Sequence, residues 1–213
     1  MNPEEKKEES LKEELVSFLK AFAVSAVVIL LFINFIAHPV TVTGRSMVPT
    51  LEDKDYGFTS IIATHFGTPQ RGDIVVVTVN EMKDGRMQEV QLVKRVIGLP
   101  GETVECRDDL IYIDGEELDE SGYIDSEHRQ QMIEQYGFFN QIQVKIEDKD
   151  GNITVENVDF DPVKLGNDEY FVMGDNRTIS KDSRSEEIGP IKQDQLYGEG
   201  LMILFPFGHF GVK

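Results

Sequence analysis

The chain has 213 residues, room for one ordinary domain and an appendage but hardly for two full cores. A formal net charge of −18 and a sequence pI near 4.5 argue against nucleic acid as a partner, because phosphate backbones are held by clustered Lys and Arg and no such cluster occurs. The single cysteine excludes an intramolecular disulfide. The four histidines lack metal-ligand spacing and no glycine-rich nucleotide loop occurs, so no cofactor is expected.

The first predicted element is a membrane span. Ala21–Ala37 carries no charge, and with Phe18, Leu19 and a snorkelling Lys20 the apolar run covers 18–37, about the 20 residues a helix needs to cross a bilayer. A cleaved secretory signal, a core helix and an uncleaved anchor all start from such a run. A cleaved signal wants a small-x-small site after the apolar core, whereas Ala21-Phe22-Ala23 lies at its start and the far end reads Ile36-Ala37-His38-Pro39. A core helix of a small domain would be two-sided, and this one is apolar all round. The expectation is therefore an anchor, with residues 9–14 as its helical lead-in. Lys6, Lys7, Lys12 and Lys20 precede the span while only Arg45 and Lys54 follow closely, which places the amino terminus in the cytoplasm. The expected organisation is a cytoplasmic tail over 1–17, the anchor over 18–37, and an extracytoplasmic domain over 38–213.

Beyond Pro39 short β-type runs alternate with turn residues. Candidate strands are Val40–Thr43, Ile74–Val79, Val90–Ile97, Thr103–Cys106, Leu110–Ile113, Ile142–Ile146, Ile153–Val158, Tyr170–Met173 and Leu201–Phe205. Asp114-Gly115 and Asp150-Gly151 are pairs favoured in type I′ hairpin turns. Glu127–Tyr136 is the best helical stretch. Residues from about 115 to 165 are more polar and acidic than their flanks and read as an inserted lobe. The fold class is mainly β, an antiparallel sheet formed by the segments before and after that lobe. Cys106 reads as a small buried side chain in a strand. The terminal run Leu201–Phe210 reads as a core strand, and alternatively Phe205, Phe207 and Phe210 dip into a membrane.

Three segments carry residues suited to chemistry. Ser46 sits in Gly44-Arg45-Ser46-Met47-Val48-Pro49-Thr50, a tight turn, where a serine commonly bonds only its own backbone. Lys94 sits in Leu92-Val93-Lys94-Arg95-Val96-Ile97. Strand alternation puts it on the face of Leu92 and Val96, and Arg95 on that of Val93 and Ile97. A lysine on an apolar face is snorkelled, paired or neutral. The third segment, 174–184, reads GDNRTISKDSR and makes an elaborate polar turn after an apolar strand.

Together SMVPT, RGDIVVV (Arg71–Val77), KRVIGLPGE and GDNRTISKDSR, in that order behind an apolar span, resemble the type I signal peptidases. The single span resembles the shorter Gram-positive members. The resemblance covers most of the chain from Phe18 onward and is thin across 115–165. It implies a membrane-bound serine endopeptidase that removes signal peptides from secretory preproteins after small residues at −1 and −3, with lipid bilayer and preproteins as its partners. Ser46 would be the nucleophile and its backbone N–H an oxyanion donor. Lys94 would be the general base, Ser180 would hydrogen-bond the lysine amine, and Asp182 and Arg184 would form a supporting ion pair. A lysine near pKa 10.4 is neutral in only about one molecule in a thousand at pH 7.4, so such a base needs its pKa lowered by burial. Two positions depart from the family pattern: Gly44 stands where some members carry a serine, and Ile179 where Asn is frequent. Two rivals are a self-cleaving repressor, disfavoured by the span and the lack of a helix-turn-helix, and a non-catalytic adaptor, disfavoured by intact Ser46 and Lys94.

Overall fold

The computed structural model describes residues 3–83, 85–147, 149 and 151–213. It begins with one long helix, α1 (Pro3–Phe35), and no residue of its apolar stretch Leu11–Leu31 is buried. An apolar helix with no protein packed on it finds a matching solvent in hydrocarbon. The helix takes in the described part of the expected tail, from Pro3, and stops short of Ala37. His38 precedes Pro39, which disfavours helical backbone there, and Ala37 opens a strand instead.

The main sheet is antiparallel. Its strands are β1 (Ala37–Thr41), β2 (Tyr56–Ser60), β3 (Ile74–Lys83) and β4 (Arg86–Gly98), then β11 (Glu169–Met173), β12 (Ile191–Lys192), β13 (Leu196–Phe205) and β14 (Gly211–Val212). They run in the order β1-β2-β13-β3-β4-β11-β12, with β14 on β13. The Val-rich β3 is central and buries side chains on both faces. Ile74 and Val76 join Val40, Met47, Leu51, Leu201 and Ile203 in one core. Val75, Val77 and Val79 join Val96, Tyr170, Val172 and Ile191 in another. A short helix, α2 (Ile61–Phe66), caps its start with Ser60 and packs on β13.

The second sheet contains β5 (Thr103–Arg107), β6 (Leu110–Ile113), β7 (Glu116–Glu117) and β10 (Val163–Lys164) in the order β10-β5-β6-β7. The excursion from the main sheet thus starts at Thr103, earlier than the polar stretch suggests, because its first strands are apolar enough to share a core with Ile97, Phe171 and Met173. Asp114 (φ 50°) and Gly115 (φ 85°) both take the left-handed conformation that a type I′ turn requires. Helix α3 (Ser126–Tyr136) and the hairpin of β8 (Ile142–Glu147) and β9 (Ile153–Val158) complete the lobe. Asp150, half of the second expected turn, lies outside the described residues.

Polar contacts hold the lobe together and lock it to the loop that follows β11. Asp109 accepts the backbone N–H groups of Phe139 (2.8 Å), Asn140 (2.6 Å) and Gln141 (2.9 Å). Arg177 is fully buried, and donates to Glu120 Oε1 (2.5 Å), Asn140 Oδ1 (2.5 Å) and the Gly174 carbonyl (2.8 Å). Removing one partner of such a pair strands the other charge away from water. Arg177→Met is therefore expected to destabilise the protein by roughly 3–5 kcal/mol, read by thermal or denaturant unfolding. Glu120→Gln with Arg177→Met should recover part of the loss.

Candidate active site

Ser46 sits on a loop closed at its base by strand-like bonds. Val42 N–H donates to the Asp55 carbonyl (2.8 Å) and Lys54 N–H to that of Val42 (2.9 Å). Gly44, at φ 90°, donates its N–H to Asp53 Oδ1 at 2.8 Å. That left-handed backbone favours glycine at a position where a side chain would be strained. Met47 and Leu51 plug the loop into the core, each 1% exposed, so Ser46 is held close above buried apolar surface. From the other side Asn176 N–H donates to the Ser46 carbonyl at 2.9 Å.

Lys94 is 2% exposed, and its Nζ donates to Ser46 Oγ at 2.9 Å. Burial lowers its pKa from 10.5 to about 8; Asp182 pulls it back up, Arg184 pushes it down, and Glu81 and Asp175 raise it further. Desolvation dominates because an ammonium among apolar side chains loses its hydration without gaining a directly paired carboxylate.

Asp182 and Arg184 lie beside this pair. Arg184 donates Nε to Asp182 Oδ1 (2.8 Å) and Nη2 to Oδ2 (2.9 Å), and also reaches the carbonyls of Arg177 (2.6 Å) and Asn140 (3.1 Å). Burial would push the Asp182 carboxyl up, but Arg184 and the Gly174 N–H outweigh it and hold the group below its usual range. Ser180 differs from the expectation. It forms no hydrogen bond to the Lys94 amine; its Oγ is buried against Gly174, where a Cβ would fall under 3.0 Å from Ser180 Oγ and from the Ser46 carbonyl. The Ser46 carbonyl and the Ser180 side chain both crowd against the backbone at Gly174. The Lys94 amine is directed at Ser46 instead.

Beside the pair runs a groove of about 130 Å³, lined by Pro39–Thr43 on one side and Gln91–Lys94 on the other, with Ser46, Met47 and Val76 at its floor and end. Both walls are strand edges. β1 is the last strand of its sheet, and β4 pairs with β11 only from Arg95 onward, leaving its outer edge from Arg86 to Lys94 without a strand partner among the described residues. Ser46 and Lys94 stand where that pairing stops.

The family model described as signal peptidase, peptidase S26, matches residues 15–205. Signal peptidase I S of Bacillus subtilis (strain 168) is 36% identical over 198 residues, 93% of each chain. Signal peptidase I of Bacillus licheniformis is 36% identical over 203 residues, 95% of each. Signal peptidase IB of Staphylococcus aureus (strain Mu50 / ATCC 700699) is 33% identical over 202 residues, 94% of each. The chain belongs to the signal peptidase family, peptidase S26. It is a serine peptidase of that family, and its amino-terminal apolar helix makes it membrane-anchored.

Several residues that shape this signal peptidase site were not singled out by the sequence. Arg95 is 7% exposed and grips Asp175 with both arms, Nε to Oδ1 at 2.8 Å and Nη2 to Oδ2 at 2.6 Å; Asp175 also accepts Thr50 Oγ1 at 2.5 Å. A charge on the face of Val93 and Ile97 was the available signal, since it requires a carboxylate. Cys106 is buried and its thiol is pushed up to about 12, first by desolvation and then by Asp159, so it stays protonated.

The lowered pKa of Lys94 is also a stability statement. Between about 8 and 10.5 the unfolded chain holds a proton that the folded chain has released, so stability rises with pH across that window. The gap between the two values corresponds to roughly 3 kcal/mol. Lys94→Met is expected to raise stability by up to about 3 kcal/mol at pH 7, with the gain fading towards pH 10.5. Unfolding curves of both proteins at three pH values test this, and a gain that grows with pH would contradict it.

Proposed function

We propose that this signal peptidase cuts an extended preprotein segment lying between the β1 and β4 edges, with Ser46 as nucleophile and Lys94 as general base. The observation that carries the reading is the 2.9 Å contact between Ser46 Oγ, which opens on the groove, and Lys94 Nζ, on a residue only 2% exposed. A neutral Nζ at that place takes the Oγ proton as Oγ bonds to the scissile carbonyl carbon. The resulting ammonium then returns the proton to the leaving amine, and water with the same base releases the acyl group from Ser46. Ser46 N–H makes no hydrogen bond among the described residues and is available to the developing oxyanion. Asp182 and Arg184 hold the loop against which Lys94 lies. The groove's small volume and the buried Met47 and Val76 beneath it favour Ala-sized residues before the cut. The lysine bias of the amino terminus supports a cytoplasmic tail with the β domain on the opposite side of the membrane.

Cleavage of a model preprotein tests the pair. Ser46→Ala should be folded and inactive. Lys94→Arg should lose roughly 10³-fold or more, because a guanidinium does not give up its proton. In the wild type, log kcat/KM should climb with pH as Lys94 deprotonates and level off above about pH 8. Normal cleavage by either variant, or an inflection near the value of a free lysine, would remove the mechanism.

Leu201 and Ile203 are core residues, whereas Phe205, Phe207 and Phe210 are 57%, 82% and 60% exposed. Such aromatic surface supports contact of this end of the domain with lipid. Replacing all three by Ser should weaken binding of the 38–213 fragment to lipid vesicles in a sedimentation assay, with unchanged partitioning as the contrary result.

A further inference from the structure

The β3–β4 hairpin outgrows the core that supports it. Val79 and Val90 still belong to the second core, but beyond them Asn80, Met82, Lys83 and Arg86–Glu89 are exposed. Met82 and Met87 face each other near the tip at 69% and 61% exposure. A two-stranded ribbon without a buried face is marginal by itself. Yet its second strand carries the unpaired edge that leads into the groove, so the direction of the ribbon sets where that edge lies.

The ribbon is tied to the body by Lys181. Its Nζ lies 3.2 Å from Glu81 Oε1 on β3 and also pairs with Glu187 Oε2. Lys181 sits between Ser180 and Asp182, on the loop that Arg184 and Arg177 brace against the lobe. One ammonium therefore joins the unsupported half of the hairpin to a firmly braced segment of the site. Glu81 is also near enough to Lys94 for its charge to be felt there.

We propose that Lys181 and Glu81 form a clamp that holds the free β4 edge in register with Ser46, making them positioning residues for long extended substrates. This rests on the groove being the peptide site. An ion pair this exposed contributes little to global stability. Its effect falls on the placement of a ribbon that has few other contacts. Neither side chain touches the reacting atoms, so once Lys94 is neutral, above about pH 8, the clamp acts on substrate binding and leaves the chemical step alone. A short peptide that spans only the residues beside Gln91–Lys94 does not reach the clamped half of the edge.

The test uses the full chain in detergent micelles at about pH 9.5, where Lys94 is largely neutral whatever the charge of Glu81, with steady-state kinetics on a preprotein and on a short peptide around the same cut. Lys181→Met and Glu81→Gln should each raise KM for the preprotein by roughly two- to fivefold with kcat retained, and leave the short peptide unchanged. Lys181→Arg should behave as wild type. The double variant should lose no more than either single one, as expected for two ends of one contact. Unchanged KM in both single variants, additive losses in the double variant, or a fall in kcat at constant KM would each overturn the clamp. A Ser46→Ala arm separates the two ideas: activity in that arm would overturn the site itself, whereas an inactive arm with unaffected clamp variants overturns only the clamp.

Discussion

Lys94 brings its amine to a place where 2% of the residue meets solvent, and its neighbours are arranged around that burden. An ammonium there is destabilised, so the proton is held loosely. Of the four charges that act on the amine, Asp175, Asp182 and Arg184 lie on the loop after β11 and Glu81 on β3, and they partly cancel: Asp182 is answered by Arg184, and Asp175 is neutralised by Arg95. A bare carboxylate beside the amine would raise its pKa again and undo the effect of burial. Each nearby acid is therefore given its own cation, and desolvation decides the outcome.

That requirement accounts for the density of arginine between the strands and the loop that follows β11. Arg95 takes Asp175, Arg177 takes Glu120, and Arg184 takes Asp182, all three with little exposure. Buried ion pairs add little net stability against apolar replacements, but a misplaced partner is heavily penalised. Their combined effect is to fix the course of residues 174–184, which in turn fixes Ser46 through the Asn176 N–H and leaves room for it only because position 174 has no side chain.

The apolar span, the Val-rich central strand and the oddity of Lys94 were legible in the sequence because each is a local pattern: charge-free length, β-branched alternation, a cation on an apolar strand face. Ser46 alone read as a turn serine, and its pairing with Lys94 came from the resemblance. Arg95 and Asp175 are separated by 80 positions, and no local pattern joins them. β2 escaped notice because Tyr-Gly-Phe-Thr-Ser has no apolar alternation; its glycine is needed where β13 passes close to the backbone. The two-residue strands β7, β10, β12 and β14 exist only through their partners. The bond from Ser180 to the amine came from resemblance; Ser180 Oγ packs against Gly174 and does not make it.

The two unpaired strand edges on either side of Ser46 have a further consequence. Strand edges present amide hydrogens and carbonyls, which are common to every sequence, so a peptide laid between them is recognised through its main chain. Selectivity is left to the few positions where a side chain must turn into the narrow floor. A gap of this kind tolerates great diversity in what it accepts and still rejects a proline or an N-methylated residue at any position where the edge needs an amide hydrogen. Under the proposed reading, clients need share only backbone geometry and small side chains at the few positions that enter the floor.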